Sequence, residues 1–194
     1  MAKKMLVAEI NSLEMMNDTS LDGFVLPVMH FSSVANHYFS LDEIKSAINY
    51  KKERLIILKL DKVIEEKEIE GLKRFIDQVI DLGVDYFLFS DFAVSNILDG
   101  RVPCGKLIYA NSKMLASSKE CEYYSFFGMI NPSTELTIDE LKAISSRSNC
   151  LITCFGYLNI FYSRRPLLSL FEHHQRKIFR RNLKGKLLFI KEEY

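Results

Sequence analysis

Carboxylates, amides and cations recur along this chain at a particular kind of place, just after a short apolar run. Glu9 stands near the end of the first run with Asn11 just after it, Asp61 follows the third, and Ser90 and Asp91 close the fourth. Asn111 and Lys113 come next, then Asn131 and Glu135, then Gly156 and Tyr157. Shortly after stand Ser163, Arg164 and Arg165. If the runs are strands of one parallel sheet, these residues gather at its C-terminal end, where such folds place their chemistry. The set suits a polar ligand, with acid–base work open to any carboxylate that is desolvated. Glu135 and Asp91 are the candidate catalytic carboxylates. Asp61 and Asp91 equally suit capping the helices that follow, as Asp does at a strand-to-helix loop. Glu135 suits that less, because Glu is a poorer cap and Thr137 is better placed.

Asn111, Lys113, Tyr157, Ser163, Arg164 and Arg165 are the candidate substrate-binding residues. Two adjacent arginines beside Ser163, just before Pro166, fit a carboxylate or phosphate; they equally fit pairing with the protein's own acids. Other chemistries find less support. His30 and His37 are isolated, and adjacent His173 and His174 point in different directions on a helix. No His-Glu-x-x-His or Cys-x-x-Cys spacing occurs, so no metal site is expected. No Gly-x-Ser-x-Gly elbow points to a serine hydrolase. The cysteines, Cys104, Cys121, Cys150 and Cys154, read as core thiols, not as metal ligands or disulfides.

The elements that must position these residues alternate. Apolar runs over 5–10, 23–28, 54–60, 85–90, 106–110, 123–128 and 150–155 read as strands. The run at 54–60 lacks in/out alternation, as a strand covered on both faces should. Capping boxes at Ser40/Glu43 and Thr137/Glu140 open helices through Tyr50 and Ser145. Apolar residues at helical spacing predict a helix over 65–82, stopped by Gly83. Shorter helices are expected over 92–98, over 113–120 and over 167–179. This order implies a parallel sheet in an α/β, TIM-barrel-like single domain spanning 1–194. The barrel is complete if 186–190 adds the eighth strand and incomplete otherwise. An open doubly wound sheet is the alternative, but no Gly-x-Gly-x-x-Gly follows the first strand and no phosphate loop occurs.

The chain has 194 residues, 48% hydrophobic and 26% charged, with a net charge of +1. That suits one globular domain and gives no electrostatic case for nucleic acid or a membrane surface. No apolar run is long enough to span a bilayer. Lys3 and Lys4 precede an apolar stretch, but Glu9 interrupts it and no small-residue cleavage site follows, so a cytoplasmic protein is expected. The basic residues Arg176, Lys177, Arg180, Arg181 and Lys184, with Phe171 and Phe179 among them, allow RNA binding as a minor reading, although such runs are usually solvated helix faces.

Several segments together resemble the collagenase-like U-32 peptidase family. They are Phe31 to Ala35 with Phe39 to Glu43, Lys59 to Asp61 with Glu68, and Asp81 to Asp85 followed by Ser90 and Asp91. Asn111 to Met114, Ser133 to Leu141, Phe155 to Leu158 and Tyr162 to Arg165 continue the resemblance in order. It implies a barrel-like domain and a peptidase, hence a hydrolase acting on a peptide or protein. Some family members instead modify RNA or a quinone precursor with an iron–sulfur cluster. The positions matching the cluster cysteines look like Asn159 and Pro166 here, so the resemblance implies no cofactor. Where the family has Asn, Gln, Arg and His, this chain has Asp61, Lys113, Thr134 and Phe155. These departures, with a chain that resembles a short or partial member, support an alternative: a non-catalytic binding subunit with a protein partner or a second copy.

Overall fold

A computed structural model describes residues 4–111, 115–156 and 171–174. The chain divides into two compact units, 1–159 and 160–194. In the first, six strands form one sheet: β1 (Val7–Glu9), β2 (Gly23–Pro27), β3 (Leu55–Leu60), β4 (Tyr86–Phe89), β5 (Leu107–Tyr109) and β6 (Met129–Ile130). Every neighbouring pair is parallel, and the order across the sheet is the order along the chain. A doubly wound sheet reverses its strand order at a switch point. This one never does, so it curls into an incomplete α/β barrel.

The helices are α1 (Leu41–Tyr50), α2 (Ile69–Val79), α3 (Phe92–Leu98), α4 (Ser118–Tyr123) and α5 (Ile138–Ser145). Both expected capping boxes are formed: Ser40 accepts from the Glu43 amide and Thr137 from the Glu140 amide, and each Glu side chain returns to its cap's backbone. The apolar stripe read over 65–82 becomes one 3-10 turn at Glu66–Glu68 followed by α2. Gly83 then takes φ +90, open to glycine at little cost.

Alternating strand residues divide the core. Phe24, Leu26, Ile56, Leu58, Phe87, Phe89, Leu107 and Tyr109 pack with Ile44 of α1, Leu72 and Ile76 of α2, and Val94 and Leu98 of α3. Val25, Ile57, Leu88 and Ile108 form a second cluster on the opposite, concave face, edged by Val7, Tyr86, Met129 and Leu151. Burial on both faces explains why Leu55 to Leu58 of β3 are apolar without alternation.

Two expected strands differ. Residues 123–128 are not a strand: α4 ends at Tyr123, a 3-10 turn covers Tyr124–Phe126, and β6 begins only at Met129. Aromatic packing decides this, because Tyr124 and Phe127 stack on Tyr109 at ring distances of 4.7 and 5.8 Å. The run at 150–155 makes a single parallel bridge, Ile130 to Cys150, because β6 is too short to pair further. The helix read over 113–120 lies later, at Ser118–Tyr123, capped by Ser117. Residues 171–174 are helical. The rest of the expected helix over 167–179, the run at 186–190 and the basic residues 176–184 lie outside the described residues.

Candidate functional site

Because all six strands run the same way, their C-terminal ends share one rim. Glu9 ends β1, Asp61 follows β3, Ser90 and Asp91 follow β4, Asn111 follows β5, and Asn131 and Glu135 follow β6. Asp91 and Glu135 leave strands two apart, roughly 10 Å at the ladder. Lys113, Tyr157, Ser163, Arg164 and Arg165 lie outside the described residues.

Asp91 is the N-cap of α3. Its Oδ1 accepts from the Ala93 amide at 2.9 Å, and its Oδ2 accepts from the Ile64 amide at 2.9 Å. One carboxylate thus starts a helix and holds the β3 loop, satisfying two backbone donors that would otherwise go unpaired. Asp61 does not cap the helix after it. It turns back to the loop after β2, accepting from the Ser33 amide at 2.9 Å and the Ser33 hydroxyl at 2.6 Å. The Ser90 hydroxyl donates to the Asp61 carbonyl at 2.7 Å. The loops after β2, β3 and β4 are therefore tied into one frame.

Glu135 is exposed; its amide donates to the Ser133 hydroxyl at 3.3 Å. Its carboxylate has no hydrogen bond or ion pair among the described residues. The Asn111 amide nitrogen lies 3.4 Å from the Tyr109 hydroxyl. Burial raises the Tyr109 phenol pKa, and the Asn111 hydrogen bond acts against that rise. Asn131 donates to the Leu151 carbonyl at 2.6 Å and lies 3.4 Å from the Thr153 hydroxyl.

Lys59 lies at the same strand ends but is absent from the residues proposed from sequence as binding or catalytic. It sits on the concave face of β3, two residues beyond Ile57, and its side chain is only 16% exposed. Its ammonium donates to Glu9 Oε2 at 2.9 Å and to the Val34 carbonyl at 3.2 Å, with Asp61 Oδ2 at 3.8 Å. The signal was present: Lys59 is the one charge in Leu55–Leu60, otherwise wholly apolar. A charge kept inside such a strand needs partners, and Glu9 and Asp61 supply them.

The cysteines are free, but only Cys121 is buried; Cys150 is intermediate, and Cys104 and Cys154 are exposed, which corrects their reading as four core thiols. Cys104 stands in a surface 3-10 turn, and Cys154 lies beyond the single bridge at Cys150, so the apolar strand meant to bury it does not form. Among the described residues no helix is long and apolar enough to cross a membrane.

No curated protein matches this chain. A solved structure titled "Structural study of Project ID from Aquifex aeolicus VF5" superposes with a TM-score of 0.55 at 11% identity, covering 77% of this chain and 73% of that one. At that identity the likeness is one of fold. The family described as Peptidase family U32 matches residues 9–178, nearly the whole barrel and beyond, so this chain belongs to peptidase family U32.

Proposed function

We propose that this chain acts on a peptide or protein at the C-terminal rim of its half-barrel, as a peptide-bond hydrolase of family U32. The observation carrying the reading is the braced rim, on which Asp61, Ser90 and Asp91 hold three loops while the Glu135 carboxylate stands open. In this reading Glu135 takes a proton from the water that attacks the peptide carbonyl and gives it to the leaving amine nitrogen as the C–N bond breaks. Asp91 serves the same step as a positioning residue. Asn111, Lys113, Tyr157, Ser163, Arg164 and Arg165 hold the substrate.

One observation favours a second reading, a binding subunit without catalysis. Both Asp91 oxygens are occupied by backbone amides, and Glu135 is solvated, whereas general acid–base groups work best when burial or a neighbour tunes them. Such a subunit presents the rim to a protein partner or to a second copy of itself.

Incubating the full chain and Glu135→Ala with a pool of peptides, and following both binding and cleavage, separates the two. Cleavage by the wild type and its loss in Glu135→Ala supports the hydrolase. Binding without cleavage supports the subunit. Neither binding nor cleavage overturns both.

A further inference from the structure

We infer that Lys59 and Glu9 together form a reader for the peptide backbone, presenting one donor and one acceptor side by side at the strand ends. The inference rests on the peptide-directed reading above and names the residues that meet the ligand. An ammonium has three N–H donors. Glu9 Oε2 at 2.9 Å and the Val34 carbonyl at 3.2 Å take two of them. The nearest remaining acceptor, Asp61 Oδ2, is 3.8 Å away, beyond hydrogen-bond reach. Asp61 is also held in place by Ser33, through both its amide and its hydroxyl. One Lys59 donor is thus left for a ligand. Glu9 uses Oε2 on Lys59, and its side chain is 40% exposed, so Oε1 is left as an acceptor.

A donor and an acceptor on adjoining groups match the C=O and N–H of a peptide unit, which offers one of each. A lone ammonium would select an anion, and a lone carboxylate a cation. The ion pair cancels most of that preference and keeps the directional bonds. Its setting strengthens them. Lys59 lies in register with Pro27 on one side and Leu88 on the other, and Leu88 belongs to the apolar concave cluster. Hydrogen bonds made by charged groups over such a surface are stronger than the same bonds in open water. The ligand class is therefore an extended peptide segment read through its backbone, largely independent of side-chain sequence.

Equilibrium binding by the full chain to a pool of short random peptides, acetylated and amidated at their ends, tests this beside the same pool N-methylated along the backbone. Wild type should bind the first pool and lose on the order of tenfold on the second. E9A, which removes the acceptor, should bind the first pool on the order of tenfold more weakly, and K59M by at least as much. Circular dichroism checks that each variant folds. If K59M does not fold, E9A and the double variant E9A/K59M, which removes both charges, stand in for it. Equal binding of the two pools, or wild-type affinity in E9A, overturns the backbone reader while leaving peptide recognition standing. Binding of neither pool by the wild type overturns both.

Discussion

Alkylation of the folded protein should sort its four cysteines by environment. Cys104 and Cys154 are exposed. Burial pushes the Cys150 thiol up to about 11, with Cys121 nearby adding to the rise, and burial raises Cys121 as well. The thiolate is the reactive form, so at mildly alkaline pH Cys104 and Cys154 should be modified well before the other two, as peptide mass spectrometry would resolve. Uniform labelling would contradict the packing of Cys121. Glu43 offers a test by acid. The Ser40 amide and hydroxyl, with His37 3.1 Å away, hold its carboxyl below the ordinary value of 4.5. A carboxyl lowered in the folded state adds stability above its unfolded pKa, and that stability is lost as pH falls through the folded value. Glu43→Gln keeps a capping-box residue, so at neutral pH it should cost under about 1 kcal/mol. Its stability should fall less steeply than wild type below pH 4.5 in acid denaturation series.

Among the elements, α3 starts on the Asp91 side chain, which also holds the loop after β3. Asp91→Ala removes the cap and frees the Ile64 amide, and should cost about 1–2 kcal/mol in chemical denaturation. Asp91→Asn retains an acceptor for the cap and should cost less. If Asp91 acts in catalysis only by positioning, the Asn variant should also keep most of any peptide cleavage. The capped helices were legible because a capping box is local: Ser40 with Glu43 and Thr137 with Glu140 are each three residues apart. The run at 123–128 was misleading because its aromatic residues are as apolar as a strand's. Their partners Phe89, Phe92 and Tyr109 are brought in from β4, α3 and β5, which local sequence cannot show. Lys59 was visible as an oddity in β3, but its partners lie 50 residues upstream and two residues downstream, and only the curl of the sheet brings Glu9 within reach.

At the scale of the whole molecule, the sheet follows the order of the chain, and among the described residues its final strand, β6, is its shortest. β6 has two residues, and its approach to β5 depends on Gly128, whose amide donates to the Cys104 carbonyl at 2.8 Å. A Cβ at Gly128 would fall on the backbone of Gly105, which cannot yield as a flexible side chain can. Gly128→Ala should therefore separate β6 from β5. Hydrogen exchange should show lost protection at Asn131, whose amide donates to the Tyr109 carbonyl of β5 at 2.8 Å, with β2 to β4 still protected if the strands open as separate units. Loss of protection throughout would instead show that the half-barrel unfolds as one body. Elsewhere the sheet is thick with apolar burial: Leu58 and Ile57, on opposite faces of β3, are both fully covered.

By itself the sequence determined the alternation of strands and helices, the positions of α1, α3 and α5, and the placing of Glu9, Asp61, Asp91 and Glu135 near the ends of apolar runs. Each of these is written in spacing over a few residues, in hydrophobic period and cap chemistry. Tertiary structure alone decided that the strands stay in chain order and curl, that Asp91 serves two backbone amides, and that Lys59 meets Glu9. Those outcomes depend on contacts between residues far apart in the chain, made only once parallel strands stand side by side and share one rim.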